Sequence, residues 1–228
     1  MYTSAEENYL KAIWSLGQGT RKGISTNAIA AKLNTKAASV TDMLKRLSEK
    51  GLVAYEKYKG VKLTREGTKT ALRITRKHRL WEVFLVEKLE FGWHEVHIIA
   101  EQLEHVKSPE LIERLDAYLG HPRFDPHGDP IPDADGKLHP HEAMVALDEA
   151  PDGKSLEIIG VSDSSDDFLK HLEKLGLVLG TRLVIRERHG YDRSITIELG
   201  KKNQTVITNR TAQNLMVRPA SAPKNPGT

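Results

Sequence analysis

The chain has 228 residues, 39% hydrophobic and 29% charged, a globular balance with length for one large domain or two to three small ones. It contains no cysteine, which excludes disulfide scaffolds, thiolate zinc sites, iron–sulfur clusters and cysteine nucleophiles. No apolar run approaches the roughly 20 residues that span a bilayer, and the first residues lack a basic and then apolar leader, so a cytoplasmic protein with no membrane association is expected. The net charge of +3 hides an uneven distribution. Residues 1–72 carry 13 Lys/Arg against 6 Asp/Glu, residues 73–141 carry 9 against 13 together with 8 of the 10 histidines, and the remainder carries 12 of each sign. A basic first third points to a polyanion such as nucleic acid. The acidic, histidine-rich middle points to metal.

In chain order, Ser4-Ala5-Glu6-Glu7 has the form of a capping box, and Leu10, Ile13, Trp14 and Leu16 follow at helical spacing. Residues 4–17 therefore read as an amphipathic helix stopped by Gly17. A short helix over about 26–33, a turn at Asn34-Thr35-Lys36 and a second helix over about 37–50 come next. Residues 52–63 then read as two strands around a Lys-Gly turn. This is the order of a winged helix-turn-helix. The helix at 37–50 buries Val40 and Leu44, while its other face carries Lys36, Ser39, Thr41, Asp42, Lys45 and Arg46. Short polar groups near its start suit base edges and the cations suit phosphates. Lys57, Lys59 and Lys62 on the wing suit the flanking backbone.

Residues 66–89 read as a long helix, 93–106 as another, and Ser108-Pro109 opens a third that runs to Leu119. Trp81, Phe84, Leu85, Val96 and Leu115 exceed the apolar surface one small bundle needs, which points to a dimer interface. Residues 120–140, rich in Pro, Gly, Asp and His, read as a long loop or linker. Beyond it, strands are predicted over 155–161, 178–188, 194–199 and 204–208 with a helix over 166–175, a small barrel-like domain. The tail from Pro219 is expected to be disordered.

His97, Glu101, Glu104 and His105 fall at i, i+4, i+7 and i+8 and would share one helix face. Four ionisable groups beside Ile98, Leu103 and Val106 are costly to bury unless paired, and a divalent cation offsets that cost. His78 and Glu82 form a second pair on the preceding helix, and Asp125, His127, Asp129 and Asp133 a third cluster in the linker. Nitrogen and oxygen donors suit Mn(II) or Fe(II), with Zn, Co, Ni or Cd as surrogates in vitro. Solvated helical pairs are the plainer reading of each pair taken alone.

Over roughly residues 4–218 the chain resembles the DtxR/MntR family of metal-dependent transcriptional repressors. The resemblance is carried by Glu7-Asn8-Tyr9-Leu10, Ser39-Val40-Thr41-Asp42-Met43, Gly51-Leu52-Val53 and the wing from Tyr55 to Gly60. Leu63-Thr64-Arg65-Glu66-Gly67, Arg76-Lys77-His78-Arg79-Leu80-Trp81-Glu82, His97, Glu101, Leu103-Glu104-His105-Val106 and Pro126-His127-Gly128-Asp129-Pro130 continue it. It looks most like the manganese-responsive three-domain branch. The resemblance implies a winged helix-turn-helix DNA-binding domain at 1–72 and a helical metal-binding and dimerisation domain with linker at 73–141. It also implies an SH3-like domain at 142–218, followed by a tail at 219–228. It implies a homodimer on a palindromic operator, with a primary metal site of Asn8, Glu101, Glu104 and His105. The implied ancillary site is His78, Glu82 and His97, completed by residues such as Asp125, His127 and Asp167, and His78 can serve either site. Three positions depart from one branch or another. Asn8 stands where manganese-type members carry Asp and iron-type members Met, Lys11 where two-domain manganese members carry Glu, and Glu101 where iron-type members carry Cys. The expected function is a non-enzymatic repressor of metal-uptake genes. A metal-independent DNA-binding regulator is the alternative, and a metal-dependent hydrolase a third reading, for which no nucleophile motif is found.

Overall fold

A computed structural model describes residues 2–56, 59–139, 144–200 and 203–220. The chain divides into two compact units. The first comprises Met1–Trp81, Ile98–His121 and Ile131–Leu138, and the second Glu82–His97, Pro122–Pro130 and His139–Thr228.

The first unit opens with α1 (Ser4–Gly17), α2 (Thr26–Lys32) and α3 (Ala37–Glu49), followed by the hairpin β1 (Val53–Glu56) and β2 (Gly60–Leu63). The capping box is present one residue earlier than the sequence predicts. Thr3 is the N-cap and its hydroxyl accepts the Glu6 N–H at 3.2 Å, while the Glu6 carboxylate accepts the Thr3 N–H at 3.1 Å. Glu7 is thereby left to face elsewhere. Leu10 and Ile13 of α1, Ile29 of α2, and Val40, Leu44 and Leu47 of α3 meet Leu52 and Val61 in one buried core. At roughly 1.5–3 kcal/mol per fully buried large apolar side chain, this core fixes the α2–turn–α3 angle. Ile24 joins the wing as a third strand position, exchanging two backbone hydrogen bonds of 2.9 Å with Val61. Gly60 makes room for it: at φ +89° a Cβ would stand 2.7 Å from the Ile24 carbonyl oxygen.

The long helix α4 (Arg65–Leu89) is followed by α5 (Val96–Leu103) and α6 (Pro109–Tyr118). Within the first unit, buried Arg76 of α4 donates to Asp116 Oδ2 of α6 and to the Pro132 carbonyl oxygen, each at 3.0 Å. Leu85, Val96 and Leu115, expected at a dimer interface, are instead buried inside the single chain, and Trp81 and Phe84 are half-buried. The apolar side chains left exposed on α5 and α6 are Ile98, Leu111 and Tyr118.

The second unit holds β3 (Val145–Ala146), β4 (Ser155–Val161), α7 (Asp166–Lys174), β5 (Arg182–Arg188), β6 (Ile195–Leu199), β7 (Asn203–Ile207), α8 (Asn209–Asn214) and β8 (Leu215–Pro219). They form an antiparallel sheet of order β3-β8-β4-β5-β6-β7. The strand expected to start at Val178 starts at Arg182, because the Thr181 N–H turns back to the Val178 carbonyl. Among the described residues β3 and β7 are not paired, so the expected barrel is open. β3 is only two residues long before the chain enters a 3-10 turn at Leu147–Glu149. Pro219, expected in the tail, ends β8, and residues 221–228 lie outside those described.

The linker segment 122–130 is docked on β4 of the same unit. The Val161 N–H donates to the His127 carbonyl at 2.9 Å. Gly128, at φ +88°, packs so closely that a Cβ would stand 2.1 Å from the Ile159 carbonyl oxygen. Asp125 Oδ1 accepts the N–H groups of His127 (2.8 Å) and Asp129 (2.9 Å), which shapes the turn between them.

Candidate functional site

The first candidate surface is the outer face of α3. Lys36, Ser39, Asp42, Lys45 and Arg46 are exposed on it. Thr41 is half-buried and donates its hydroxyl to the Ala37 carbonyl at 3.0 Å, so it is partly committed to the helix itself. Lys45 lies 3.6 Å from Asp42, and on the wing Lys59 lies 2.7 Å from Glu56. Lys57 lies outside the described residues. An exposed polar helix with an unobstructed N-terminal half and a basic hairpin beside it is the form that enters a major groove.

The second candidate is a charged cluster inside the first unit, where α1, α4 and the end of α5 meet. Of the four residues expected on one helix face, Glu101 and Glu104 both approach Lys11, Glu104 still donates its N–H to the Ala100 carbonyl at 2.8 Å although α5 ends at Leu103, and His105 follows in the turn. Glu104 is completely buried. Its Oε2 lies 2.6 Å from His78 Nδ1 and accepts from Lys11 Nζ at 2.7 Å. Lys11 Nζ also stands 3.6 Å from Glu101 Oε1. Burial alone would push the Glu104 carboxyl up, but the His78 hydrogen bond and the Lys11 charge outweigh it and hold it below the usual carboxylate range. Lys77, half-buried nearby, is shifted the other way: burial lowers its ammonium against the pull of Glu7 and Glu104.

Glu104 Oε1 is buried with no hydrogen-bond partner, and His105 Nε2 lies 3.9 Å from it. His105 Nδ1 sits 2.7 Å from Glu7 Oε2. With Nδ1–H donated to Glu7, the imidazole presents the Nε2 lone pair towards Glu104. A carboxylate that orients a ligating histidine in this way is the usual outer-shell arrangement of metal sites. Two donors 3.9 Å apart can share an ion at roughly 2.0–2.2 Å from each. The orphaned oxygen and the nitrogen–oxygen donor set thus fit a divalent cation. The family resemblance implies Asn8 at this site and gives no role to Glu7, its neighbour on α1. Asn8 is half-buried on the same helix.

A third cluster lies inside the second unit. Glu82, Asp125 and His127 are buried, and each offers a ligand atom within 4.8 Å of the others. His127 Nε2 donates to the Trp93 carbonyl oxygen at 2.9 Å, and Nδ1 lies 3.9 Å from Glu82 Oε2. The ring stacks on Trp93 at 12° between planes. His97 approaches Glu82 Oε1 at 3.4 Å from an exposed position. Asp167 is exposed in the first turn of α7 and is not among the groups whose donor atoms converge. Asp133 belongs to the first unit, where it shapes a turn with Lys137, not to this cluster.

A winged helix beside a buried, orientated set of histidines and carboxylates defines a DNA-binding protein with metal-site chemistry. Residues 1–61 match the iron dependent repressor N-terminal DNA binding domain, 64–133 the iron dependent repressor metal binding and dimerisation domain, and 145–219 the FeoA domain. The chain belongs to this family of metal-dependent transcriptional repressors. It is similar to a solved manganese-dependent transcriptional repressor in complex with manganese (34% identity, TM-score 0.80, 94% of this chain and 100% of that one). It is also similar to the structure of ScaR with bound zinc (32% identity, TM-score 0.72, 94% and 99% covered). The iron-dependent repressor IdeR of Mycobacterium bovis is 28% identical over 214 residues, 88% of this chain and 91% of that protein.

Proposed function

We propose that the chain is a manganese(II)-responsive repressor that binds a palindromic operator as a homodimer and controls genes of metal uptake. The observation that carries this reading is Glu104: a fully buried carboxylate with one oxygen unpartnered and the other shared by His78 and Lys11. The primary site is Glu101, Glu104 and His105, with His78, whose contact to Glu104 supports its inclusion, and with Asn8 as the neighbouring amide donor on α1. Glu7 is the positioning residue for His105. The ancillary site is Glu82, Asp125 and His127, with His97 beside Glu82. An all-oxygen-and-nitrogen set favours manganese over softer metals, and Glu101 in place of a thiolate supports manganese over iron.

A bound divalent cation supplies positive charge that α1 and the α5–α6 turn can share. The protein's own residues do the rest. Glu7 on α1 and His105 after α5 already join the DNA-binding helices to the dimerisation helices. Any change in how Glu104 and His105 are held is therefore passed to α1, whose Leu10 and Ile13 share a core with α3. Coupling of this kind is typically worth about 1–3 kcal/mol, and it is reciprocal, so operator DNA also tightens metal binding.

The test is operator binding at fixed salt with Mn(II), with Fe(II), and with chelator. Mn(II) should tighten specific binding at least tenfold, about 1.4 kcal/mol, and Glu104→Ala should remove that gain while leaving salt-dependent non-specific binding intact. Equal affinity with chelator would instead support a metal-independent regulator, and a larger gain with Fe(II) would reassign the metal.

A further inference from the structure

Lys11 stands between Glu101 and the Oε2 oxygen of Glu104, the two carboxylates that a shared cation would join. Its ammonium lies 2.7 Å from Glu104 Oε2 and 3.6 Å from Glu101 Oε1, and its side chain is largely covered, at 18% exposed. Glu101 is half exposed and Glu104 fully buried, so the ammonium is the charge on which an exposed and a buried carboxylate converge. The surroundings already hold a further cation, half-buried Lys77, within electrostatic range of Glu7 and Glu104. A divalent ion joining the two carboxylates would meet the Lys11 ammonium at a distance where like charges in a poorly solvated site repel strongly. The lysine stem is flexible and its head strongly hydrated, so it can leave for water.

We infer that Lys11 is an internal competitor for the primary metal site: a tethered cation that neutralises Glu101 and Glu104 until a divalent metal displaces it, and so sets the metal concentration at which the protein responds. This rests on the assignment of Glu101, Glu104 and His105 as a metal site. Lys11 is then a threshold-setting residue, not a ligand. Charge, more than shape, is its contribution.

Mn(II) binding to the purified full chain, without DNA, tests this through the electron paramagnetic resonance signal of free Mn(II) at fixed pH and salt. Lys11→Met and Lys11→Gln should both bind their tightest Mn(II) at least tenfold more strongly than the wild type. Lys11→Arg, which keeps the charge, should stay near the wild-type affinity. Circular dichroism identifies variants that keep the fold, and having two neutral substitutions guards against the loss of one. Unchanged or weaker binding by the folded neutral variants, in a wild type that binds Mn(II), would overturn the competitor role alone. Failure of the wild type and every variant to bind Mn(II) would overturn the metal-site assignment itself.

Discussion

At the scale of single residues, adjacent positions on α1 do separate work. Glu6 caps the helix and pairs with Lys50 near the end of α3, while Glu7 holds His105. The Lys50 hydrogen bond holds the Glu6 carboxyl below its usual value, helped by the bonds to Thr3 and opposed by burial. A carboxyl lowered on folding contributes stability that is present above its unfolded value and is lost as pH falls through the folded value. Glu6→Gln should therefore cost about 1 kcal/mol at neutral pH, the size of a lost cap interaction. Its denaturation curve should converge on that of the wild type in acid, where Glu6 is protonated in both states. A difference that persists undiminished at low pH would place the effect of Glu6 in packing rather than in charge. The same residue-level division explains why Glu7 was missed. Positions i and i+1 on a helix point about 100° apart, and the motif around Asn8 does not reveal which of the two faces His105. The Ser4-x-x-Glu7 form commits Glu7 to the cap, whereas Thr3 is the N-cap and Glu6 the capping carboxylate, which leaves Glu7 to meet His105.

At the scale of elements, what could be read in advance follows from length and period. α1, α3, α4 and α6 are long enough for apolar spacing to show, and each is found within a residue or so of its expected ends. The wing and β4 were equally legible, because alternation and glycine punctuation frame them. The two-residue β3 and six-residue α8 leave no measurable period, and their places come from the sheet they complete. The metal residues were legible as donors but not as partners. Period puts His97 on one face with Glu104, but seven residues along a helix is about 10 Å, and the two have different partners, Glu82 for His97 and His78 with Lys11 for Glu104. The linker is the element whose geometry matters most to the Glu82, Asp125 and His127 cluster. Gly128 lets it lie against β4, where any side chain would meet the Ile159 carbonyl. Gly128→Ala should destabilise the second unit by roughly 2 kcal/mol or more, from backbone strain and the forced separation together. It should also weaken the Mn(II) equivalent assigned to that cluster while sparing the one at Glu104. Thermal denaturation and Mn(II) stoichiometry check the two halves of this expectation, and an unaltered melting temperature would mean that the linker's contact with β4 adds little.

At the scale of the whole molecule, affinity for an operator of two half-sites depends on two recognition helices held at a set spacing, and one chain supplies a single α3. The family's second domain is a metal binding and dimerisation domain, and in this chain it spans residues 64–133. Leu85, Val96 and Leu115 are spent on the chain's own interior, so a partner must be met by apolar side chains left in solvent. Among the described residues of the first unit, the large apolar side chains left in solvent are Ile98 on α5 and Leu111 and Tyr118 on α6, with Ile98 63% exposed. Placing a carboxylate at Ile98 leaves the single chain nearly unaffected, since surface changes away from packed features stay within about 0.5 kcal/mol. Across an apolar interface the same charge would be buried twice by two-fold symmetry, without a counter-charge. Ile98→Asp should therefore sediment as a monomer at concentrations where the wild type is a dimer. It should keep its melting profile at low concentration and bind operator at least tenfold more weakly, even with saturating Mn(II). Its non-specific binding should keep the steep salt dependence of the basic first 72 residues, because that depends on Lys and Arg and not on assembly. A variant that still sediments as a dimer would move the interface away from the α5–α6 face.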